Sequence, residues 1–236
     1  MRKVILMEKQ TVESVFEKID KALSGSGRTR KDVTVIAATK TQTVETLLDF
    51  RKYGLIYGEN RVQELTEKYP LIPDVRWHFI GQLQTNKVKY IIDKAELLHS
   101  VDRLSLAEEI NRQALRHEKI QDVLIEVNTD PNGAKGGVDF DGIVPLAEEI
   151  LKLPNVRVKG LMTVMPIEKP EGVNLYEKMY GVFQSMKTKL PETDWRYLSM
   201  GMSGDFEEAL KNGSDMIRLG RAFFGERNYD KQRRIV

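Results

Sequence analysis

Short runs of β-branched and apolar residues alternate with longer segments of helical period along the whole chain. The alternation occurs eight times in 236 residues, or about 30 residues per unit, close to the spacing in a (β/α)8 barrel of about 250 residues. A doubly wound open sheet has the same local alternation, so the period alone does not separate the two folds. No Pro-, Gly- or Ser-rich linker divides the sequence, and we expect residues 1–236 to form one domain.

The predicted strands are short, apolar and β-branched, as parallel strands buried on both faces are. They cover residues 33–38, 55–57, 77–80, 97–101, 123–127, 158–163, 197–200 and 216–219. The predicted helices cover residues 11–23, 44–53, 61–68, 85–92, 104–117, 140–151, 173–189 and 205–212. The first of them is an extra helix before the barrel, ended by Gly25 and Gly27. The longest irregular segment, 129–139, follows a strand as active-face loops do, and Lys135 within it is expected to be a solvated charge.

Composition excludes several classes of function. The chain has no Cys and three His, which rules out disulfides, thiolate nucleophiles and Cys-containing zinc sites and disfavours a His-rich metal site. With 37 Lys and Arg against 35 Asp and Glu, the charge is balanced, and no nucleic-acid partner is expected. No run reaches the roughly 20 apolar residues of a membrane span, and no signal peptide is recognisable, so we expect no membrane partner and a cytoplasmic location.

Lys40 is the candidate nucleophile. It follows the apolar run Val-Thr-Val-Ile-Ala-Ala-Thr at the carboxyl end of the first predicted strand, where functional groups of a parallel barrel project. Removing a Lys ammonium from water lowers its pKa and frees the amine to attack a carbonyl. A Lys whose stem snorkels from a strand end to solvent is the alternative.

Two Gly-containing loops follow the last two predicted strands. Ser199-Met-Gly-Met-Ser-Gly contains Gly201 and Gly204, and Arg218-Leu-Gly-Arg contains Gly220. Loops at these two positions form the usual phosphate site of barrel enzymes, where small residues let the backbone approach an anion. Alternatively, the glycines serve only as turn residues.

Three further polar residues lie in or beside predicted strands. Arg218 within a strand must be paired, either with a ring nitrogen or carboxylate of a ligand or with an internal Asp or Glu. His78 lies in an aromatic strand and is more typical of a hydrogen-bonded core residue than of a catalyst. Asn60 follows a strand and is either a helix N-cap or a ligand contact.

Taken together, six segments resemble the pyridoxal phosphate homeostasis proteins, which share the barrel of the alanine racemase N-terminal domain. The resemblance extends from about residue 33 to residue 225. Its carriers are AATKT (37–41), GENRVQE (58–64), WHFIGQLQTNK (77–87), GLM (160–162), LSMGMSGD (198–205) and IRLG (217–220). Six segments in the right order are far more specific than any one of them.

The resemblance implies a single TIM-type (β/α)8 barrel of fold type III among pyridoxal-phosphate proteins, with Lys40 holding pyridoxal 5′-phosphate as a Schiff base. It also implies that Ser199 and Ser203, with amides around Gly204, Gly220 and Arg221, bind the phosphate. Asn60 is then expected near the ring hydroxyl and Arg218 at the pyridine nitrogen. Arg221 departs from the family, which often has Ser or Thr there, so its side chain either turns to solvent or adds charge to the phosphate site.

The leading interpretation is a monomeric protein of cofactor homeostasis or carriage, with little or no turnover and with pyridoxal-phosphate-dependent apo-enzymes as partners. Arg donates hydrogen bonds only, so a ring nitrogen facing Arg218 stays unprotonated and is a poor electron sink. Only residues 226–236 follow the barrel, which leaves no room for the second domain of racemases of this fold. An amino-acid racemase using Lys40 and His78, or a barrel binding another phosphorylated metabolite, are the alternatives.

Overall fold

A closed barrel of eight parallel strands forms the centre of the molecule, in the order β1 to β8. The computed structural model describes residues 2–72, 74–130, 136–167 and 171–225. Loop residues 131–135, with Lys135, and the segment 226–236 lie outside the described residues. The single (β/α)8 barrel predicted from the repeat is confirmed, and the open-sheet alternative is wrong, because β1 pairs with both β2 and β8.

The eight strands lie where the sequence predicts them, within a few residues at each end. They are β1 Thr34–Ala38, β2 Ile56–Glu59, β3 Trp77–Phe79, β4 Leu97–Val101, β5 Gln121–Val127, β6 Val156–Thr163, β7 Tyr197–Met202 and β8 Met216–Leu219. The α-helices are α1 Arg2–Leu23, α2 Val44–Phe50, α3 Val62–Lys68, α4 Leu104–Arg116, α5 Ile143–Leu151, α6 Leu175–Lys189, α7 Phe206–Lys211 and α8 Arg221–Phe224.

Two helical predictions need correction, and one short helix was not predicted. The extra amino-terminal helix begins at Arg2 rather than at residue 11. The segment predicted as a helix over 85–92 is a 3-10 helix, Thr85–Tyr90, and further 3-10 turns cover Arg30–Asp32, Arg51–Tyr53 and Tyr69–Leu71. The short α8 after β8 was not expected. None of the helices in the described ranges combines the length and apolar character that crossing a bilayer requires.

Alternating side chains along each strand divide the buried residues into two clusters, since successive residues point to opposite faces. The larger cluster, which includes Val35, Ala37 and Leu219, lies between the strands and the surrounding helices. The smaller one fills the inside of the barrel and consists of Ile36, Leu97, Leu124, Met162 and Met216.

The inside of the barrel is layered along its axis. Two residues beyond their members of the apolar layer, three strands carry His99, Glu126 and Arg218. His78 and Ser199 join this polar layer through contacts with His99 and Arg218. At the carboxyl ends of the strands, Ala38, Gly58 and Ile80 line an open cavity. The polar layer is therefore the floor beneath the face on which barrel proteins bind their ligands.

Candidate functional site

Two adjoining cavities open at the carboxyl ends of the strands. The smaller has a volume of about 260 Å³ and is lined by Lys40 and Asn60 among others. The larger, of about 720 Å³, is lined by Ser203 and Gly204 among others. The residues common to both are Ala38, Met202, Arg218, Gly220 and Arg221. One continuous site therefore brings together seven of the eight predicted ligand residues.

Lys40 lies two residues beyond the end of β1 and is partly buried in the wall of the smaller cavity. Its ammonium makes no hydrogen bond or ion pair with any residue that the structure describes, whereas the neighbouring Lys68 makes three hydrogen bonds. An amine that faces a cavity without a partner is available to a ligand. The geometry thus favours the ligand-binding interpretation of Lys40 over a snorkelling side chain.

Asn60 faces the same cavity directly after β2. Its Oδ1 atom is buried and has no hydrogen-bond partner, and a buried acceptor left in this state is costly unless a ligand satisfies it. The N-cap interpretation is wrong, because the N-cap residue of α3 is Arg61. Gly81 packs against the backbone of Asn60 so closely that a Cβ there would lie 2.2 Å from the Asn60 carbonyl oxygen, so position 81 requires glycine.

Arg218 lies on β8 in the polar layer and is only 4% exposed. Its Nη1 donates to Ser199 Oγ at 2.6 Å and its Nη2 to the Thr163 carbonyl oxygen at 2.8 Å. No ion pair holds it within the described part of the chain, so the alternative of an internal Asp or Glu partner is wrong. Burial lowers the pKa of Arg218 to about 10, so it stays charged at neutral pH. Of its five N–H groups, those not used for these two bonds remain for a ligand.

Ser199 is not placed where a phosphate ligand must be. It is completely buried on β7 and lines neither cavity. Its Oγ accepts the bond from Arg218 and lies 3.4 Å from His99 Nδ1. The expectation that Ser199 binds the phosphate is therefore corrected: its side chain points into the barrel because Ser199 shares the inward face of β7, and it supports Arg218 instead.

Ser203 ties the two Gly-containing loops together. Its Oγ accepts from the amides of Gly220 and Ala222, both at 3.1 Å, so its own proton is directed elsewhere. The amide of Gly204 has no acceptor among the described residues. The Nη2 atom of Arg221 lies 3.8 Å from where a Cβ on Gly204 would be. The Arg221 side chain therefore lies along the loop and adds a positive charge to it.

His78 and His99 form a buried pair under the cavity. His78 Nδ1 lies 3.1 Å from His99 Nε2. Burial lowers the pKa of His78 to about 3 and that of His99 well below its ordinary value, so both rings are neutral. His78 is 3% exposed and lines neither cavity, which fits the core interpretation of this residue.

Sequence reasoning missed a charged cluster behind Lys40, made of Glu59, Glu64 and Lys68. Lys68 Nζ lies 2.6 Å from Glu59 Oε1 and 2.9 Å from Glu64 Oε2. Glu64 and Lys68 are spaced i, i+4 on one helix, a pair that favours an ion bridge, and this spacing was a usable signal. Within the described residues, no group of three or more His, Asp or Glu side chains is arranged to hold a metal ion.

Comparison with known protein families shows which proteins the chain is similar to. The family model described as alanine racemase, N-terminal domain, matches residues 52–228. The chain is 43% identical over 224 residues to the pyridoxal phosphate homeostasis protein of Aquifex aeolicus, covering 93% of this chain and 98% of that one. It is 34% identical over 227 residues to the protein of the same name from Escherichia coli, covering 92% and 96%.

Solved structures show the same barrel. A protein of Bifidobacterium adolescentis superposes with a TM-score of 0.87 at 31% identity, covering 93% of this chain and 95% of that one. The structure of PipY from Synechococcus elongatus with pyridoxal phosphate bound superposes with a TM-score of 0.77 at 28% identity, covering 88% and 100%. An alanine racemase of Clostridium difficile shares the fold at 17% identity and a TM-score of 0.70, with 56% of its own chain covered.

Proposed function

The chain belongs to the alanine racemase N-terminal domain family and, within it, to the pyridoxal phosphate homeostasis proteins, and from that premise we propose that it holds pyridoxal 5′-phosphate as a Schiff base on Lys40. The proposal adds that it carries this cofactor with little or no turnover. The observation that carries it is the smaller cavity, in which the unpartnered Lys40 amine and the orphaned Asn60 Oδ1 face the same space.

The residues present fit the cofactor at each of its polar groups. The aldehyde of the bound cofactor supplies the electrophile, and Lys40 is the cavity amine without an internal partner. Asn60 Oδ1 lacks a donor, and a ring hydroxyl supplies one. By accepting from this hydroxyl, the Asn60 side chain would orient the ring in the cavity.

Arg218 sets the state of the ring nitrogen. It is charged at neutral pH and can only donate hydrogen bonds, so the group it faces must be an acceptor. A pyridine nitrogen held in this way is unprotonated and withdraws little charge from the rest of the ring. This disfavours carbanion chemistry and suits a protein that stores or delivers the cofactor.

The phosphate is assigned to the two Gly-containing loops. Because two amides donate to its Oγ, the Ser203 hydroxyl can donate its own proton to the phosphate. The Gly204 amide and the Arg221 guanidinium lie next to it. Gly220 contributes through its lack of a side chain, since its amide is already bonded to Ser203. Charged and neutral donors around a dianion make the strong hydrogen bonds that anchor a phosphate.

Turnover requires a second acid or base across from Lys40. Among the described residues that line the smaller cavity, the charged groups besides Lys40 are two arginines, which do not exchange protons near neutral pH. A tyrosine and two carboxylates line only the adjoining larger cavity. His78, the second group considered for the racemase alternative, is buried and lies 3.1 Å from a nitrogen of His99. The lack of an acid or base beside Lys40 in the described lining of the smaller cavity supports carriage, and pyridoxal-phosphate-dependent apo-enzymes are the recipients we propose.

An absorbance titration tests the proposal. Pyridoxal 5′-phosphate added to purified protein should give a Schiff-base band at about one equivalent, and Lys40→Ala should abolish it while Lys52→Ala, a change at an exposed lysine, leaves it unchanged. A band of undiminished amplitude in Lys40→Ala overturns the assignment. Deuterium exchange at Cα of a panel of amino acids is measured alongside, and sustained exchange at enzyme-like rates overturns carriage in favour of catalysis.

Delivery is tested separately with an apo-aminotransferase and a scavenger of free pyridoxal 5′-phosphate. In the presence of the scavenger, we expect the loaded protein to activate the apo-enzyme faster than the same amount of free cofactor does. Activation no faster than from free cofactor contradicts direct transfer while leaving the binding proposal intact.

A further inference from the structure

Behind the Lys40 segment lies a buried charged cluster, Glu59–Lys68–Glu64, that lines neither cavity of the site. Lys68 Nζ donates to Glu59 Oε1 at 2.6 Å, to Glu64 Oε2 at 2.9 Å and to the Thr39 carbonyl oxygen at 3.0 Å. All three of its donors are therefore used. The Glu59 side chain is completely buried and that of Lys68 is 8% exposed.

The cluster holds the chain on both sides of Lys40. On the amino side, Thr39 Oγ1 donates to Glu59 Oε1 at 2.6 Å, and the Thr39 carbonyl accepts from Lys68. On the carboxyl side, the Thr41 amide donates to Glu64 Oε2 at 2.9 Å. Lys40 itself has no partner, so the backbone around it is fixed while its side chain is left to the cavity.

Thr41 adopts a conformation that needs such support. Its φ is +67°, in the left-handed region that a β-branched residue strongly disfavours. A strained residue of this kind persists only where surrounding contacts determine its conformation. Two contacts do so: the Gln42 amide donates to the Thr39 carbonyl oxygen at 3.0 Å and closes the turn, and the Thr41 amide donates to Glu64, which is in turn held by Lys68.

A role in stability alone does not account for the cluster. Buried ion pairs rarely stabilise a protein more than apolar side chains of similar size, because the charges lose their hydration. Burial raises the pKa of Glu59 against the opposing effect of Lys68. Burial also acts to raise that of Glu64, but the Thr41 amide and Lys68 outweigh it, so the pKa of Glu64 is lowered and its carboxylate stays charged.

We propose that Glu64 is a positioning residue for Lys40: it fixes Thr41 in the left-handed turn, with Lys68 and Glu59 as its support, and so aims the Lys40 amine at the aldehyde of the bound cofactor. This inference rests on the proposed function, since it assumes that Lys40 is the reacting amine. Glu64 does not contact the ligand, and its effect travels through the backbone of Thr41.

Glu64→Ala tests the inference, because it removes the acceptor of the Thr41 amide while leaving the Glu59–Lys68 pair in place. The rate of Schiff-base formation with pyridoxal 5′-phosphate should fall about tenfold or more, since a misplaced reacting group costs orders of magnitude in rate. Binding of pyridoxine 5′-phosphate, which lacks the aldehyde, should stay within about twofold, because the cavity is unchanged.

Two further variants separate positioning from stability. Thr41→Gly in the Glu64→Ala background should restore most of the rate, because glycine adopts a positive φ without strain and no longer needs Glu64. Glu64→Gln should lie between the wild type and Glu64→Ala, since an amide oxygen also accepts from the Thr41 amide. Ile150→Ala, which opens the core on α5 instead, should lower stability and leave the rate of adduct formation unchanged.

The outcomes are distinguishable. Wild-type rates in Glu64→Ala, or a slow Glu64→Ala that Thr41→Gly does not restore, overturn the positioning role while Lys40 still forms the adduct. Equal loss of pyridoxine 5′-phosphate binding also overturns it, because the defect then lies in the cavity. If wild-type protein forms no adduct on Lys40, the proposed function itself fails. Should Glu64→Ala not fold, Glu64→Gln, measured with and without Thr41→Gly, is judged by the same criteria.

Discussion

The Nη1 atom of Arg218 lies 2.6 Å from the Oγ atom of Ser199, and this contact begins a buried chain of polar contacts. Arg218 can only donate, so Ser199 accepts from it. The same Oγ lies 3.4 Å from His99 Nδ1, and His99 Nε2 lies 3.1 Å from His78 Nδ1. One guanidinium is therefore linked through Ser199 to two neutral histidines beneath the smaller cavity.

Removing the Ser199 hydroxyl should destabilise the fold. In Ser199→Ala a buried N–H of Arg218 loses its acceptor, and an unsatisfied buried donor costs at least about 1–3 kcal/mol, with charged groups at the upper end. The free energy of unfolding, measured by urea denaturation, should fall by that amount. Ser185→Ala, which removes a hydroxyl bonded within α6, should change it much less. Equal effects of the two variants contradict the account of Arg218.

The two buried histidines should make the protein sensitive to acid. Their pKa values are lower in the folded state than in the unfolded chain, where they are about 6.5. Their contribution is therefore fully present above about pH 6.5 and is lost as the pH falls, in the case of His78 towards about 3, because the unfolded chain binds protons that the folded protein does not. Replacing His78 by Asn should reduce the slope of unfolding free energy against pH by about 1.4 kcal/mol per unit in this range. An unchanged slope would show that His78 takes up its proton without unfolding.

Glu126 should change the pH dependence of stability in the opposite direction. Burial raises its pKa from 4.5 to about 7, with the charge of Asp102 adding to the effect, and its Oε2 has no partner. The folded protein therefore binds the extra proton, and stability falls as the pH rises from about 4.5 to 7. Glu126→Gln should be more stable than the wild type at pH 8, by about 1–3 kcal/mol, and similar to it at pH 4.5. Parallel stability profiles of the two proteins would contradict the assignment.

Gly58 should not tolerate a side chain. A Cβ there would lie 2.6 Å from Ile36 Cγ2 and 3.0 Å from Ile80 Cδ1, inside the barrel beside the cavity. Gly58→Ala should therefore lower the melting temperature through overpacking, at a cost of about 1–3 kcal/mol. Gly181→Ala is the matched control, because no atom lies within 4 Å of that position in α6, and it should stabilise the helix by about 0.5–1 kcal/mol. Calorimetry of both variants checks the contrast, and equal melting temperatures would contradict it.

The strands and their order were predictable because buried parallel strands are short apolar runs, and their spacing repeats. Lys40, Asn60 and Arg218 could be placed at one site because all three lie in or just after strands whose carboxyl ends meet on one face. The type of helix was harder to predict. The segment Thr85–Tyr90 has the apolar spacing of an α-helix but forms a 3-10 helix. The two types differ in which residue accepts each backbone hydrogen bond, and the apolar spacing does not reveal that.

Ser199 and the cluster behind Lys40 show where sequence reasoning ends. Ser199 and Ser203 are four residues apart in one polar, Gly-containing segment, and only the inward face of β7 decides that Ser199 supports Arg218 while Ser203 reaches the loops. Glu59, Glu64 and Lys68 look like ordinary charged residues of a strand end and a helix. Their burial depends on how α3 packs behind β1 and β2, which is a tertiary contact.

Reduction of the loaded protein with borohydride, followed by proteolysis and mass spectrometry of the peptides, tests the central claim most directly. The account predicts one phosphopyridoxyl group per chain, on the peptide that contains Lys40, and none in Lys40→Ala. A modified peptide carrying any other lysine as the main site, or an unreduced wild-type chain despite tight binding of the cofactor, would contradict it.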